Sequence, residues 1–196
     1  MAKFTKIPAD TFKQLQINAG VILSDFEPTT GAFDERNQIG ATTGGITFSA
    51  TPTFSDYGED VDNCPKNTME LKRLDDVEVK CSGTFVTVTT ASAKSLMAAA
   101  DIDGKDTTKV VPRRDLSSAD FNDIWIVGDY SDKNGDTNGG FIAIHMLNAI
   151  STGGFQLKTA DKNKGQLAFE YMAHYSIAKQ DIVPYELYIK AGTADA

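Results

Sequence analysis

The apolar positions of this chain recur mostly at every second residue, so it reads as a run of strands. In 45–57, Ile46, Phe48 and Ala50 alternate with Thr47 and Ser49, and Pro52 demotes the second half to an edge or a bulge. Val77, Val79, Cys81 and Phe85 alternate with Glu78, Lys80, Ser82 and Thr84. The apolar face then passes to Val86 and Val88, and Gly83 beside that change predicts a β-bulge. In 124–130, Ile124 and Ile126 face one way and Trp125 and Val127 the other. A segment apolar on both faces belongs inside a sheet, with Trp125 buried. Further strands are expected near 15–23 and at 141–150, 155–159, 166–175 and 185–190, with a short extended piece at 110–112.

One stretch has the helical period. Ala93, Leu96, Met97 and Ala100 stand at i, i+3, i+4 and i+7, which predicts a helix over 91–100, capped by Thr90 or Ser92 and ended near Gly104. Residues 117–120 read as one capped helical turn. Six to eight strands joined by hairpins, with no alternation of strand and helix, imply antiparallel pairing. The expected class is mainly β, an antiparallel sandwich or open barrel with one flanking helix. An N-terminal arm over 1–20 precedes a single domain over 21–190, with long loops at 24–44 and 55–70 and a hairpin at 128–140. Residues 191–196 are expected to be a disordered tail.

Charge narrows the function. The formal net charge is −8 over 196 residues. Residues 55–80 and 101–138 each carry a net −4, whereas 139–196 balance. No basic stripe marks a nucleic-acid binder. The start of the chain lacks the apolar core of a signal peptide, and no run is long enough to span a membrane. Two cysteines, Cys64 and Cys81, do not make a disulfide framework; Cys81 reads as a small buried hydrophobe, and pairing of the two stays open.

Candidate chemistry is sparse. Asp132, Asn134, Asp136 and Asn138 place oxygen ligands on alternate residues, as at the start of a calcium loop. Gly135, however, stands at the fourth position rather than the sixth, and Ala143 occupies the place of the closing glutamate, so turn chemistry is the preferred reading. His145 and His174 lack zinc spacing and read as core or interface residues. The acid pairs Glu59/Asp60 and Asp75/Asp76 point to opposite faces of an extended chain, and no nucleophile elbow or phosphate loop exists. No catalytic residue, cofactor or metal is expected. Tyr185 and Tyr188 keep a carbohydrate platform in view.

Three phrases carry a resemblance. They are LQINAGVIL at 15–23, DFNDIWIVGDY at 120–130, and FIAIHMLNAI at 141–150 running through STGG and FQL to the KNKG turn at 162–165. Together they resemble the tail tube (major tail) protein family of long-tailed bacteriophages. The resemblance implies a structural virion protein of the tail, assembled in the host cytoplasm. Its copies would form stacked hexameric rings around a lumen that DNA crosses without specific binding. Partners would be further copies and the tape measure, baseplate and terminator proteins. On it, ring and stacking contacts are expected at Phe12, Leu15, Ile17, Asp129, Tyr130 and Asn134. A tail terminator or baseplate ring is the nearest alternative, and a carbohydrate-binding sandwich a more distant one.

Overall fold

The computed structural model describes residues 7–8, 10–32, 34–131 and 139–193. In chain order the elements are β1 (Gln16–Leu23), β2 (Thr42–Asp56), β3 (Lys72–Phe85), α1 (Thr90–Leu96), β4 (Ala100–Ile102) and β5 (Val110–Pro112). There follow β6 (Asn122–Tyr130), β7 (Gly140–Ser151), β8 (Gln156–Lys158), β9 (Gln166–Met172) and β10 (Tyr185–Lys190). Every ladder between them is antiparallel. The hydrogen-bonded path runs β1-β6-β7-β9-β3-β2, with β10 on β7 and β8 on β9, while β4 and β5 form a separate hairpin. The architecture is thus a mainly antiparallel β-sandwich, left open, with one flanking helix.

β7 belongs to both layers. Its first half lies between β6 and β10, with Ile144 opposite Ile126 on one side and Leu187 on the other. Its end turns away to pair Ile150 with Met172 of β9. Asn148, at φ 49, makes the bend. Its backbone N–H donates to Asp123 and its side-chain amide to the His174 carbonyl, at 3.0 and 3.1 Å. Asparagine tolerates this left-handed backbone better than other side chains of its size.

The sandwich buries its core between the layers. Ile22, Ile124, Ile126 and Met146 from the first layer meet Val79, Cys81, Phe85, Phe169 and Tyr171 from the second, and Leu96 of α1 closes one end. Phe85 and Phe169 stack at 4.2 Å. A smaller cluster lies on the opposite face of the first layer, where Phe26 of the 24–32 segment covers Leu23, Trp125 and Ala143. β6 therefore carries apolar residues on both faces because both are covered.

Several expectations are corrected. The bulge lies on β2, where Gly44 and Gly45 at φ 77 and 84 slip the register opposite Gly83. Gly83 itself keeps the pleat. A Cβ there would stand 2.7 Å from the Phe169 ring, so the ring takes the space a side chain would need. The apolar face does not pass to Val86 and Val88, because the strand ends at Phe85 and Val88 is exposed. The helix is shorter than its periodicity implies. It starts at a Thr89 cap, whose hydroxyl accepts from the Ser92 N–H while Ser92 Oγ accepts from the Thr89 N–H. It ends at Met97 because Ala98 turns to φ 60 and Ala100 enters β4 against Pro112. In the segment between β1 and β2, a turn of 3₁₀-helix lies at Glu35–Asn37, a bridge from Leu23 to Gln38 ties the chain to the end of β1, and a bridge from Glu27 to Ala32 closes a turn within the segment. Among the described residues the main sheet has eight strands and the small hairpin two, more than the six to eight expected.

Candidate assembly surface

A sheet edge is a row of unpaired backbone donors and acceptors. The first layer, β1-β6-β7-β10, has two. Among the described residues β1 pairs only with β6, and segment 38–39 covers only its end at Ile22 and Leu23. Among the same residues β10 pairs only with β7. On the core-side face of β10, Leu187 and Ile189 are 52% and 56% exposed. They stand opposite Ile144 and Ile142 and extend the core beyond the reach of the second layer. An open edge beside exposed aliphatic side chains is where another strand is expected to join.

Four of the six expected contact residues converge beside the other edge. Register places Gln16 opposite Tyr130 and Ile17 opposite Asp129, and the Ser131 N–H donates to the Leu15 carbonyl at 2.8 Å. Asn18 donates to Asp129 at 2.6 Å. Leu15 is partly exposed, and Phe12, in the Thr11–Gln14 turn just before, is 66% exposed. Asn134 lies outside the described residues, as do Asp132, Asp136 and Asn138. β1 is not regular here. Its register slips between Ile17 and Val21, with Asn18 and Gly20 at positive φ. An open groove of about 1090 Å³ follows, floored by Gly20, Gly128 and Gly140 and bounded by Phe26, Phe141 and Lys190.

β2 and β3 continue as a two-stranded ribbon well past the end of β9, whose last partner is Lys80. Such a ribbon is marginal alone, and this one is closed by its own tip. Asp56 accepts from the Gly58 and Asn67 N–H groups at 2.9 and 2.8 Å, and these bonds hold its carboxyl below the usual carboxylate range. Ser55 bonds to Asp75 across the ribbon. The arm exposes Phe54, Tyr57, Val61, Met69 and Leu74, with Met69 at 79%.

The outer face of the first layer is acidic. His145 lies flat on Trp125, between Asp123 at 3.0 Å and Glu186 at 3.4 Å. The Tyr188 hydroxyl donates to Glu186 at 2.6 Å, and this bond, more than the imidazole, keeps Glu186 below the ordinary glutamate value. Asp129 shares that face of β6. Trp125 is buried and Tyr185 and Tyr188 are half-buried against Phe48 and Trp125, so these aromatics form no open sugar platform.

His174 packs edge-on against Phe121. Cys64 and Cys81 are both free, and Cys81 is buried in the core. Among the described residues no group of three or more His, Cys, Asp or Glu side chains converges as a metal site would, and no helix is long and apolar enough to cross a membrane. The β10 surface escaped sequence reasoning because Tyr185, Leu187 and Ile189 alternate with polar partners like any core strand. Only the length of the opposing layer decides that two of the three stay uncovered.

No family model and no curated protein matches this sequence. Among solved structures, one described as the virion of a native gene transfer agent particle is similar at a TM-score of 0.42 and 9% identity, over 88% of this chain and 96% of that one.

Proposed function

We propose that this chain is a structural virion protein, the tail tube subunit of a long-tailed phage, which assembles into hexameric rings stacked around a DNA-conducting lumen. The observation that carries the reading is the first layer, four strands ending in the open edges of β1 and β10 with Leu187 and Ile189 exposed beside the second. Joining β10 of one copy to β1 of the next satisfies both edges and continues the sheet around a ring. The sequence resemblance at 15–23, 120–130 and 141–150 supports the same reading, since those phrases contain β1, β6 and most of β7.

On this reading the chain carries out no reaction and holds no cofactor. Its outer face, with Asp123, Asp129 and Glu186, lines the lumen, where acids repel phosphate and leave DNA free to slide. Its partners on this reading are further copies of the chain and the tape measure, terminator and baseplate proteins. Negative-stain electron microscopy with mass photometry over rising protein concentration tests it. Hollow rings and tubes are the expected result; a single-copy particle at every concentration would overturn the proposal.

A further inference from the structure

One of the chain's two histidines sits where three strands meet. His145 lies on β7 between Asp123 of β6 and Glu186 of β10, the latter its register partner. Its Nε2 is 3.0 Å from an Asp123 oxygen, and its Nδ1 is 3.4 Å from a Glu186 oxygen. An ionised carboxylate only accepts hydrogen bonds, and a neutral imidazole has one N–H and one bare nitrogen. Both contacts are therefore hydrogen bonds only when the ring carries both protons. In the neutral ring a bare nitrogen faces an acceptor.

The two contacts are unequal. Asp123 has the shorter one, and its other oxygen accepts from the Asn148 N–H at 3.0 Å, which fixes that carboxylate at the bend of β7. Glu186 has the longer one, and its further bond comes from Tyr188, two residues along the same strand. Among the described residues the imidazole is thus the one side-chain link from Glu186 to another strand. A neutral ring keeps its proton on Nε2 for Asp123 and gives up Glu186. The other charged groups near this face are engaged elsewhere. Asp129 accepts from Asn18, Lys190 Nζ donates to the Thr29 carbonyl, and Glu27, whose charge reaches Tyr188, accepts from the Thr29 N–H. His174 turns its ring to Phe121.

We infer that His145 is a proton-operated tie: its imidazolium bridges Asp123 and Glu186 and fastens the edge strand β10 to the middle of the first layer, and loss of the proton releases β10 from that link. Histidine changes charge between about pH 5 and 8, so the tie is present at the acid end of that range and is lost as pH rises through it. The Tyr188 bond first, and the imidazole after it, hold Glu186 below the ordinary glutamate value of about 4.3. The acid partner is therefore still charged where the ring gains its proton. The consequence for assembly rests on the proposed tube: β10 is the strand offered to the next copy, so a proton on His145 firms that edge and favours rings.

Amide exchange of the full chain, followed by NMR at a concentration where it is a single copy, tests the tie directly. Protection factors correct for the intrinsic effect of pH. Protection of the 186–190 amides relative to β9 is expected to fall about threefold from pH 6 to pH 8, as for a partly exposed charged pair. His145→Phe keeps a ring on Trp125 without its nitrogens and is expected to lose the pH dependence, with β10 weakly protected throughout. Glu186→Gln offers an amide that accepts from the charged ring or donates to the neutral one, and is expected to stay protected at both pH values. Equal protection of the unaltered chain at pH 6 and 8, or an unchanged pH dependence in His145→Phe, overturns the tie. Mass photometry at the same two pH values reads assembly, with rings expected at about threefold lower concentration at pH 6. Rings indifferent to pH, while β10 protection still changes, overturn the coupling to assembly. Protection that changes with no rings at either pH overturns the tube and leaves the tie standing.

Discussion

The indole of Trp125 lies on the imidazole of His145 with ring centroids 3.9 Å apart and planes 5° from parallel. The two residues face each other across β6 and β7, and Asp123 and Glu186 hold the imidazole edge at 3.0 and 3.4 Å. Replacing His145 with alanine removes the stack and leaves two carboxylates without the ring between them. An aromatic pair contributes about 0.5–1.5 kcal/mol beyond burial, and His145→Ala is expected to cost about 1–2 kcal/mol in all. His145→Phe, which keeps the ring but not its nitrogens, recovers part of that loss. Urea unfolding followed by the fluorescence of Trp125, the one tryptophan, measures both.

Asp120 gives the fold an acid-sensitive contact. Its carboxylate accepts from the Ser117 N–H at 2.8 Å and pairs with Arg113. The backbone bond first, and the guanidinium after it, hold its folded value below the usual aspartate range against the opposing effect of burial. The carboxylate's contribution is therefore present in full above the ordinary value, about 4, and is lost as pH falls through the lowered folded value. The stability difference between the unaltered chain and Asp120→Asn is expected to be constant above pH ~5 and to shrink below ~4. Denaturant titrations at several pH values check this; a difference that grows in acid would contradict it.

The two thiols should separate cleanly. Burial pushes the Cys81 thiol up to about 12, so almost no thiolate exists at neutral pH, and the core excludes reagent. Cys64 is half-buried at the ribbon tip. A thiol reagent at pH 8 is expected to modify one sulfur per native chain and the second only after unfolding. Cys64→Ser should abolish the fast reaction. Two fast thiols would show that the core opens around Cys81.

The strands were legible because alternation is a local property that burial reads directly. β6 showed itself central because Ile124 and Trp125, neighbours in sequence, are both apolar, and both faces are in fact covered. What was not legible depends on distant partners. The helix period over 91–100 is genuine, yet pairing of Ala100 with Pro112 draws the last residues into a strand. Gly83 marked the right place for a bulge but on the wrong strand, because the slip needs positive φ, which Gly44 and Gly45 adopt across the ladder. Leu15, Ile17, Asp129 and Tyr130 lie together at one corner, where β1 meets the end of β6. The exposed pair Leu187 and Ile189 could not be separated from core by pattern alone.

Gly20 tests that corner. It sits at φ 69 where β1 slips register, and a Cβ there would approach the Val127 carbonyl oxygen to 2.8 Å. Gly20→Ala meets backbone strain of about 1–3 kcal/mol and must also push β1 off β6. Gly44 has a similar φ of 77 with no atom within 4 Å of its Cβ position, so Gly44→Ala meets the strain alone. Gly20→Ala is expected to lower Tm further than Gly44→Ala, by several degrees at roughly 2–4 °C per kcal/mol. Equal shifts would mean that β1 yields without loss.

The decisive substitutions lie on β10. Leu187 and Ile189 are more than half exposed, and each aspartate placed there should change the stability of the isolated chain by no more than about 0.5 kcal/mol. In a ring the same positions meet the neighbouring copy, and charge on an edge strand is a direct way to forbid pairing. Leu187→Asp with Ile189→Asp is therefore expected to leave Tm almost unchanged and to abolish rings. Mass photometry over rising protein concentration reads ring formation. Rings that persist in the β10 variant would move the lateral joint to another edge, with β2 of the second layer, which among the described residues pairs only with β3, the next place to substitute.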